Sequence, residues 1–336
     1  MNTNPLLETL TREGVLISVS VRFWRAHKKL AAEDLGLEAD QVSDRLISLG
    51  HKRLLPKEAT AALALVESRA HALVEANTFP FLNGLAHFAP NAKLGEVIGK
   101  LKAHETEFWQ AKNEFVSQYA ALRDAALVEW REMASNLSED PIRVVAAIEA
   151  AFPPAATLER KFGFDIQLFQ IAVPERLGLD LLNLGDQEAL MNARQQAARE
   201  ASEQIHAQTE TFIAECVVSL REQTAQLCGD MLQSIRTGEN GVHQKTLNRL
   251  IRFIDQFKQM NFVGDAEMEA QLETVRRELL TRTAEEYRQG GSSAQANLQS
   301  GLARLADTAR DLARQDATEL VQRFGGMGRR KFQLAA

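Results

Sequence analysis

Long apolar runs, cysteines and aromatic residues are all scarce in this chain of 336 residues. It contains no stretch of about eighteen apolar residues, which argues against a membrane-spanning helix. Its first residues lack the basic flank and apolar centre of a secretory signal, so we expect a soluble, cytoplasmic protein. Aromatic residues make up 6% of the chain. Strong helix formers crowd its second half, and they favour a mostly helical fold.

The two cysteines, Cys216 and Cys228, lie within one predicted helix. Because an α-helix rises about 1.5 Å per residue, about 18 Å separates them, and no disulfide can join them. We expect both to be buried, reduced thiols.

The charge balance is acidic, with a formal net charge of −6 and a pI near 5.8. Proteins that coat nucleic acid or an anionic membrane need positive fields. Only local basic patches could make such contacts here, so we expect nucleic-acid binding to be weak or absent. The content of hydrophobic residues, 45%, is typical of globular proteins, and the length allows two domains.

No motif typical of a catalytic, cofactor or metal site has the context that it needs. Gly95–Lys100 resembles a phosphate-binding loop, but its glycines are one residue too close and it follows no buried strand. Glu203 and His206 form one Glu-x-x-His unit, whereas helical di-metal sites use two. No Gly-x-Ser-x-Gly elbow and no Cys-x-x-Cys pair occur. The sequence therefore predicts a protein that is not an enzyme, and it assigns no catalytic, cofactor-binding or metal-ligating residue.

Two segments alternate apolar and polar residues, a pattern typical of half-buried strands. They are residues 15–23 and residues 162–170. Since an isolated strand leaves its backbone hydrogen-bonding groups unsatisfied, we predict that the two pair with each other. The segment Phe79–Gly84, which contains a proline and a glycine, is expected to be a break between helices.

Helical periodicity fills most of the remaining chain. Apolar residues at intervals of seven predict a long helix over residues 91–134, and a second long helix is predicted over 186–235. Nearer the end, spacings of three and four alternate, which is typical of the seam of an antiparallel coiled coil. The seam residues are Leu298, Leu302, Leu305, Ala309 and Leu312.

The predicted fold class is mostly α, with two domains and a tail. Residues 1–178 form a helical domain that contains the small two-stranded β element. Residues 186–324 form a long coiled coil or helical bundle, because short loops between amphipathic helices favour antiparallel neighbours. Residues 325–336, which are rich in glycine and basic side chains, form a flexible tail.

Two basic clusters in the first domain are candidate contacts for a partner or a phosphate group. The first cluster consists of Arg22, Arg25, His27, Lys28 and Lys29 around Trp24, and the second of Lys52, Arg53 and Lys57. The candidate contacts among them are Arg22, Trp24, Arg25, Lys28, Lys29, Lys52 and Arg53. Such groups could bind phosphate or an acidic protein. The competing interpretation, a solvated face balanced by Glu33, Asp34 and Glu58, is favoured because the chain as a whole is acidic.

Three phrases of the sequence, Val15 to Leu30, Ser48 to Pro56 and Phe162 to Gln170, resemble the bacterial family catalogued as domain of unknown function 3150. Genes of this family typically lie on conjugative elements, plasmids and phages. Their neighbours commonly encode a MoxR-like AAA+ ATPase and a cobaltochelatase-like protein with a von Willebrand A domain. The resemblance therefore implies a partner of such proteins, and it supplies no active-site residues to transfer.

The leading functional hypothesis is a non-enzymatic adaptor or scaffold of a MoxR-like ATPase and von Willebrand A system. It would bind these proteins, or a second copy of itself, through coiled-coil surfaces. The alternative is a nucleic-acid-associated accessory protein of a mobile element or phage, which would use the basic clusters and the tail. An unrecognised hydrolase is the third hypothesis.

Overall fold

The computed structural model describes residues 5–30, 50–81, 84–137, 140–170, 187–237, 241–315 and 317–332. These residues are mostly helical and include a small sheet, so the predicted fold class is confirmed at this level. The helices are α1 (Pro5–Glu13), α2 (Ala61–Asn77), α3 (Asn91–Leu137), α4 (Pro141–Ala151), α5 (Ala155–Leu158), α6 (Gln187–Thr237), α7 (Gln244–Met260), α8 (Ala266–Leu279), α9 (Ala284–Gln289), α10 (Gly291–Arg314) and α11 (Thr318–Phe332). The strands are β1 (Gly14–Arg22), β2 (His27–Lys29), β3 (His51–Arg53), β4 (Phe79–Phe81), β5 (Ala86–Pro90) and β6 (Gly163–Phe169).

The described residues divide into two compact units, each built from segments that are distant in the sequence. The first unit contains the described parts of 1–17, 77–95 and 168–336, and the second unit contains those of 18–76 and 96–167. From the sequence we predicted two domains that follow one another along the chain. The predicted boundary between them, residues 178 to 186, lies outside the described residues.

The main sheet has the strand order β4-β5-β1-β6. The two strands predicted from alternation, β1 and β6, are neighbours in this sheet, so their pairing is confirmed. β1 also pairs antiparallel with β5, from Gly14 opposite Pro90 to Ile17 opposite His87. The predicted two-stranded element is therefore part of a larger, four-stranded sheet.

Strand β4 lies within the segment that the sequence analysis interpreted as a break. Phe79 and Phe81 are buried while Pro80 between them is exposed, so the strand alternates over only three residues. Proline cannot donate to a sheet ladder, but β4 is at the edge of the sheet, where no donor is needed on the outer side. The edge position explains how a proline-containing segment becomes a strand.

The two long helices predicted from periodicity are present. α3 has 47 residues and α6 has 51, so they are about 70 Å and 76 Å long. The predicted tail differs from expectation, because α11 continues as a helix from residue 325 to Phe332. Residues 333–336 lie outside the described residues.

The helices of the first unit pack around one apolar core. α10 lies along α6, α8 packs against α10, and α7 packs against both α6 and α8. The predicted seam residues are buried inside this core: Leu298, Leu302, Leu305, Ala309 and Leu312. Their partners are helices of the same chain, so this seam does not form a surface for self-association.

A charged pair is buried in the first unit. The side chains of Arg221 on α6 and Asp265 before α8 are 5% and 3% exposed, and Nε donates to Oδ2 at 2.7 Å. Arg221 Nη1 also donates to the carbonyl oxygen of Leu312 near the end of α10, at 2.6 Å. Asp265 caps α8, since its Oδ1 accepts from the N–H of Met268 at 3.2 Å. The pair therefore joins α6, α8 and α10.

Aromatic side chains fill the core of the second unit. The ring centroid of Trp24 lies 5.7 Å from that of Tyr119, edge-on, and 6.2 Å from those of Phe115 and Phe152. The Tyr119 hydroxyl donates to the carbonyl oxygen of Pro153 at 2.7 Å. A second aromatic group, Phe108, Phe162 and Phe164, continues this core. These contacts hold α3 against β6 and against the segment that follows α4.

Candidate functional site

The two basic clusters found in the sequence meet in the second unit as one structure. Strands β2 and β3 pair antiparallel and form a separate two-stranded sheet, which we call the basic ribbon (His27–Lys29 and His51–Arg53). Pairing continues at both ends of the ribbon. The N–H of Leu30 donates to the carbonyl oxygen of Gly50 at 3.0 Å, and the N–H of Leu54 donates to that of Ala26 at 2.7 Å.

The register of the basic ribbon sets basic side chains directly opposite one another. His27 is opposite Arg53, Lys28 is opposite Lys52, and Lys29 is opposite His51. Like charges in directly opposed positions destabilise a strand pair, and Lys28 and Lys52 are such a pair. The register therefore concentrates basic side chains in the ribbon.

The alternation of side chains along the strands gives the ribbon two different faces. Lys28 and Lys52, which are directly opposite one another, share one face. The opposite face, which we call the outer face, consists of His27, Lys29, His51 and Arg53, all of them exposed. On the outer face the two imidazole rings meet edge-on, with centroids 5.3 Å apart.

The cations singled out in the sequence differ in their ion pairs. Within the described part of the chain, Lys28, Lys29 and Arg53 form no ion pair with a carboxylate. Two other cations are paired: Arg22 Nη2 lies 2.9 Å from Asp165 Oδ2, and Arg25 bonds to Glu67. Lys28, Lys29 and Arg53 are therefore the candidate contacts for an anion, whereas Arg22 and Arg25 contribute to the cohesion of the second unit.

Trp24 was predicted from the sequence to contact a ligand, but its side chain is not accessible to one. Its ring is buried in the aromatic core, so it offers no surface for stacking or binding. In the alternating segment 15–23, Phe23 was predicted to point inward with the other apolar residues. However, β1 ends at Arg22, and the regular alternation ends with it. Trp24 is buried in the core instead of Phe23.

Residues 11–307 of the chain match the family described as protein of unknown function, DUF3150. The chain belongs to this family. The matched range contains both strands of the basic ribbon and all six strands that the structure describes, and it confirms the family that the three sequence phrases predicted. No curated protein and no solved structure matches the chain.

The sequence predicted Lys28, Lys29, Lys52 and Arg53 as contacts and placed His27 in the first basic cluster, but it did not single out His51. That the two histidines share one face becomes recognisable only through the pairing of β2 with β3. The available signal was the similarity of the tripeptides His-Lys-Lys and His-Lys-Arg, each beginning with histidine. Short polar tripeptides carry no hydrophobic period, so that signal does not by itself predict a strand.

Other chemistry-bearing side chains of this family member lie inside the first unit. Cys216 and Cys228 are buried, as the sequence analysis expected. Burial raises the pKa of the Cys228 thiol to about 12 and raises that of Cys216 well above its ordinary value. Both therefore remain in the protonated, unreactive form at neutral pH. Among the described residues, no three His, Cys, Asp or Glu side chains are grouped to hold a metal ion, and no helix is long and apolar enough to span a membrane.

Proposed function

We propose that this family member is a non-enzymatic adaptor or scaffold that binds a MoxR-like AAA+ ATPase and a von Willebrand A protein. The observation that supports this is a set of large apolar side chains exposed near the end of α3 and the start of α4. Ile142 is 83% exposed, Val128 51% and Met133 43%. Large apolar side chains exposed to this degree are candidate contacts for a protein partner. The two partners are those that the gene neighbourhood of the family implies.

The exposed apolar residues are carried by ordered helices. Arg123 on α3 donates to Glu149 on α4 at 2.7 Å, and Val144 and Ile148 on the same helix are buried. Asp140 caps α4 by accepting from the N–H of Arg143. A surface that is already ordered loses little conformational entropy on binding, which favours its use as a docking site.

The proposal moves the docking surface away from the predicted coiled-coil seam. That seam is buried within the first unit, so the surface near the start of α4 replaces it as the contact with the ATPase. We interpret the helices of the first unit as a slender bundle that serves as the second body of the scaffold.

The test is co-purification of the tagged full-length chain with the ATPase encoded beside it. Ile142→Asp should release the ATPase, because a carboxylate would have to lose its water in an apolar interface. The same change favours folding, since Ile142 is in the first turn of α4, where negative charge is stabilising. Thermal unfolding should therefore be unchanged within about 0.5 kcal/mol.

The matched control is Leu65→Asp on α2, because Leu65 is also apolar and 51% exposed. It should retain the ATPase. If the wild-type chain captures neither the ATPase nor the von Willebrand A protein, the adaptor proposal is wrong. If Leu65→Asp and Ile142→Asp release the ATPase equally, the docking surface is elsewhere.

A further inference from the structure

The basic ribbon contributes little to the core of the second unit. Five of its six side chains are exposed, and Lys52 alone is half-buried. Its central cross-strand pair sets Lys28 directly opposite Lys52, and like charges in opposed positions weaken a strand pair. An anion that lies across the ribbon would reduce this repulsion. The chain as a whole carries a net charge of −6, so the positive charge of the ribbon is a local feature of an acidic protein.

We infer that the basic ribbon binds the phosphate backbone of a nucleic-acid duplex, with Lys29 and Arg53 of the outer face as its principal contacts. His27 and His51 lie between these two cations, and Lys28 and Lys52 add charge from the other face. This inference does not depend on the adaptor function, because it concerns other residues and another class of partner.

The composition of the ribbon favours nucleic acid over a protein or a membrane. Protein interfaces are depleted of lysine and enriched in aromatic and apolar anchors, whereas interfaces with DNA are much more positively charged. The six ribbon residues include three lysines and one arginine and no apolar side chain. Peripheral membrane contacts usually add inserted apolar residues to such charges. The ribbon therefore has the chemistry of a phosphate-binding surface.

The shape of the ribbon favours a duplex over a single strand. The major groove of B-form DNA admits a two-stranded β-ribbon. Proteins that hold single strands stack the bases on aromatic side chains. The nearby Trp24 is buried in the core, and the ribbon contains no Phe, Tyr or Trp.

The number of cations predicts weak, salt-sensitive binding without strong sequence preference. If Lys28, Lys29 and Arg53 each neutralise one phosphate, the slope of log affinity against log salt is about −2.7 for a duplex. The affinity would then fall about 40-fold between 50 mM and 200 mM salt.

The experiment measures the fluorescence anisotropy of a labelled duplex of arbitrary sequence, titrated with the full-length chain at several salt concentrations. The test variant is Lys29→Glu with Arg53→Glu. The control is Arg160→Glu with Lys161→Glu, which changes the net charge by the same amount at exposed residues of the same unit. We expect the ribbon variant to lose at least about 10-fold in affinity and about two-thirds of the salt slope, and the control to stay within about twofold.

Several results would overturn the inference. The first is the absence of duplex binding at 50 mM salt, and the second is an equal loss of affinity in the Arg160 and Lys161 control. The third is tighter binding of a single strand, of anionic lipid vesicles or of polyglutamate than of the duplex. Thermal unfolding of each variant checks folding, and Lys29→Gln with Arg53→Gln gives a milder second test. ATPase capture should be the same in the ribbon variant and in wild type, so a failure of this inference is distinguishable from a failure of the adaptor proposal.

Discussion

The two compact units place charged side chains in opposite ways. In the first unit, Arg221 and Asp265 are buried 2.7 Å apart, and both also bond to backbone groups of neighbouring helices. In the second unit, Lys28, Lys29 and Arg53 of the basic ribbon are exposed, and Lys28 lies directly opposite the half-buried Lys52. A buried, hydrogen-bonded pair fixes the helices that it joins, whereas opposed cations weaken the pairing of their own strands.

The comparison separates residues that maintain the fold from residues available for recognition. The surroundings of an arginine decide which of the two roles is open to it: Arg221 is buried and paired with a carboxylate, whereas Arg53 is exposed. Substitutions in the first unit should therefore act on stability. Substitutions in the ribbon should act on binding.

The largest effect should come from Asp265→Ala. The substitution leaves the Arg221 guanidinium buried without its carboxylate and removes the cap of α8. Loss of one partner of a buried pair costs about 3–5 kcal/mol of unfolding free energy. Urea unfolding monitored by circular dichroism measures it.

The control for this prediction keeps the cap and removes both charges. In Arg221→Met with Asp265→Asn, the amide oxygen can still accept from Met268, and no charge remains buried without a partner. This double variant should be more stable than Asp265→Ala. A cost of less than about 1 kcal/mol for Asp265→Ala would contradict the account of a buried ion pair.

In the second unit the largest effect should come from Trp24→Ala, which empties the centre of the aromatic core beside Phe115, Tyr119 and Phe152. Removal of a buried tryptophan side chain costs about 3–5 kcal/mol. Trp24→Phe should cost less, because a ring remains in place. If Trp24→Ala instead leaves the unfolding free energy unchanged and abolishes duplex binding, then Trp24 is a contact residue, as the sequence alone suggested.

Sequence reasoning succeeded where a pattern repeats over many residues. The helical period continues through α3 and α6, and the alternation in β1 and β6 is long enough to predict their pairing. β4 has three residues with Pro80 at its centre, so no period is visible in it. The interleaving of segments in the two units depends on contacts between distant residues, which a linear pattern does not record.

The candidate site was predicted only in part for a related reason. The cations of both clusters are evident in the sequence, but the pairing of Lys28 with Lys52 is a tertiary contact. The position of Trp24 depends on where β1 ends, and the alternation continues past that point in the sequence. Strand ends are set by hydrogen-bond partners, which the sequence of one strand does not specify.

The two cysteines give a smaller, pH-dependent test of the first unit, since the second unit contains none. Burial raises the pKa of Cys228 from 9.0 to about 12. Above pH 9 the unfolded chain loses this proton while the folded chain keeps it, so stability falls as pH rises from about 9 towards 12. At pH 10.5 the loss from this thiol is about 2 kcal/mol.

The measurement compares urea unfolding at pH 8 and pH 10.5 in wild type and in Cys228→Ala. Tyrosines and lysines titrate in both proteins, so the difference between the two pH responses isolates the thiol. Cys228→Ala should show the weaker response. An identical response in both proteins would mean that the Cys228 thiol is accessible to solvent in the folded state.

The smallest effect on stability, and the sharpest contrast between the units, should come from Lys28→Glu. The new carboxylate would lie directly opposite Lys52 and convert an opposed like-charge pair into an ion pair, which contributes about 0.2–1 kcal/mol in a strand pair. We therefore expect a small gain in unfolding free energy together with a loss of duplex affinity. Lys161→Glu, an exposed change outside the ribbon, should alter neither quantity. If Lys28→Glu stabilises the fold and weakens duplex binding, the charges of the ribbon serve recognition at a cost to stability. If Lys28→Glu instead lowers the unfolding free energy, Lys28 supports the fold and the contrast between the units is wrong.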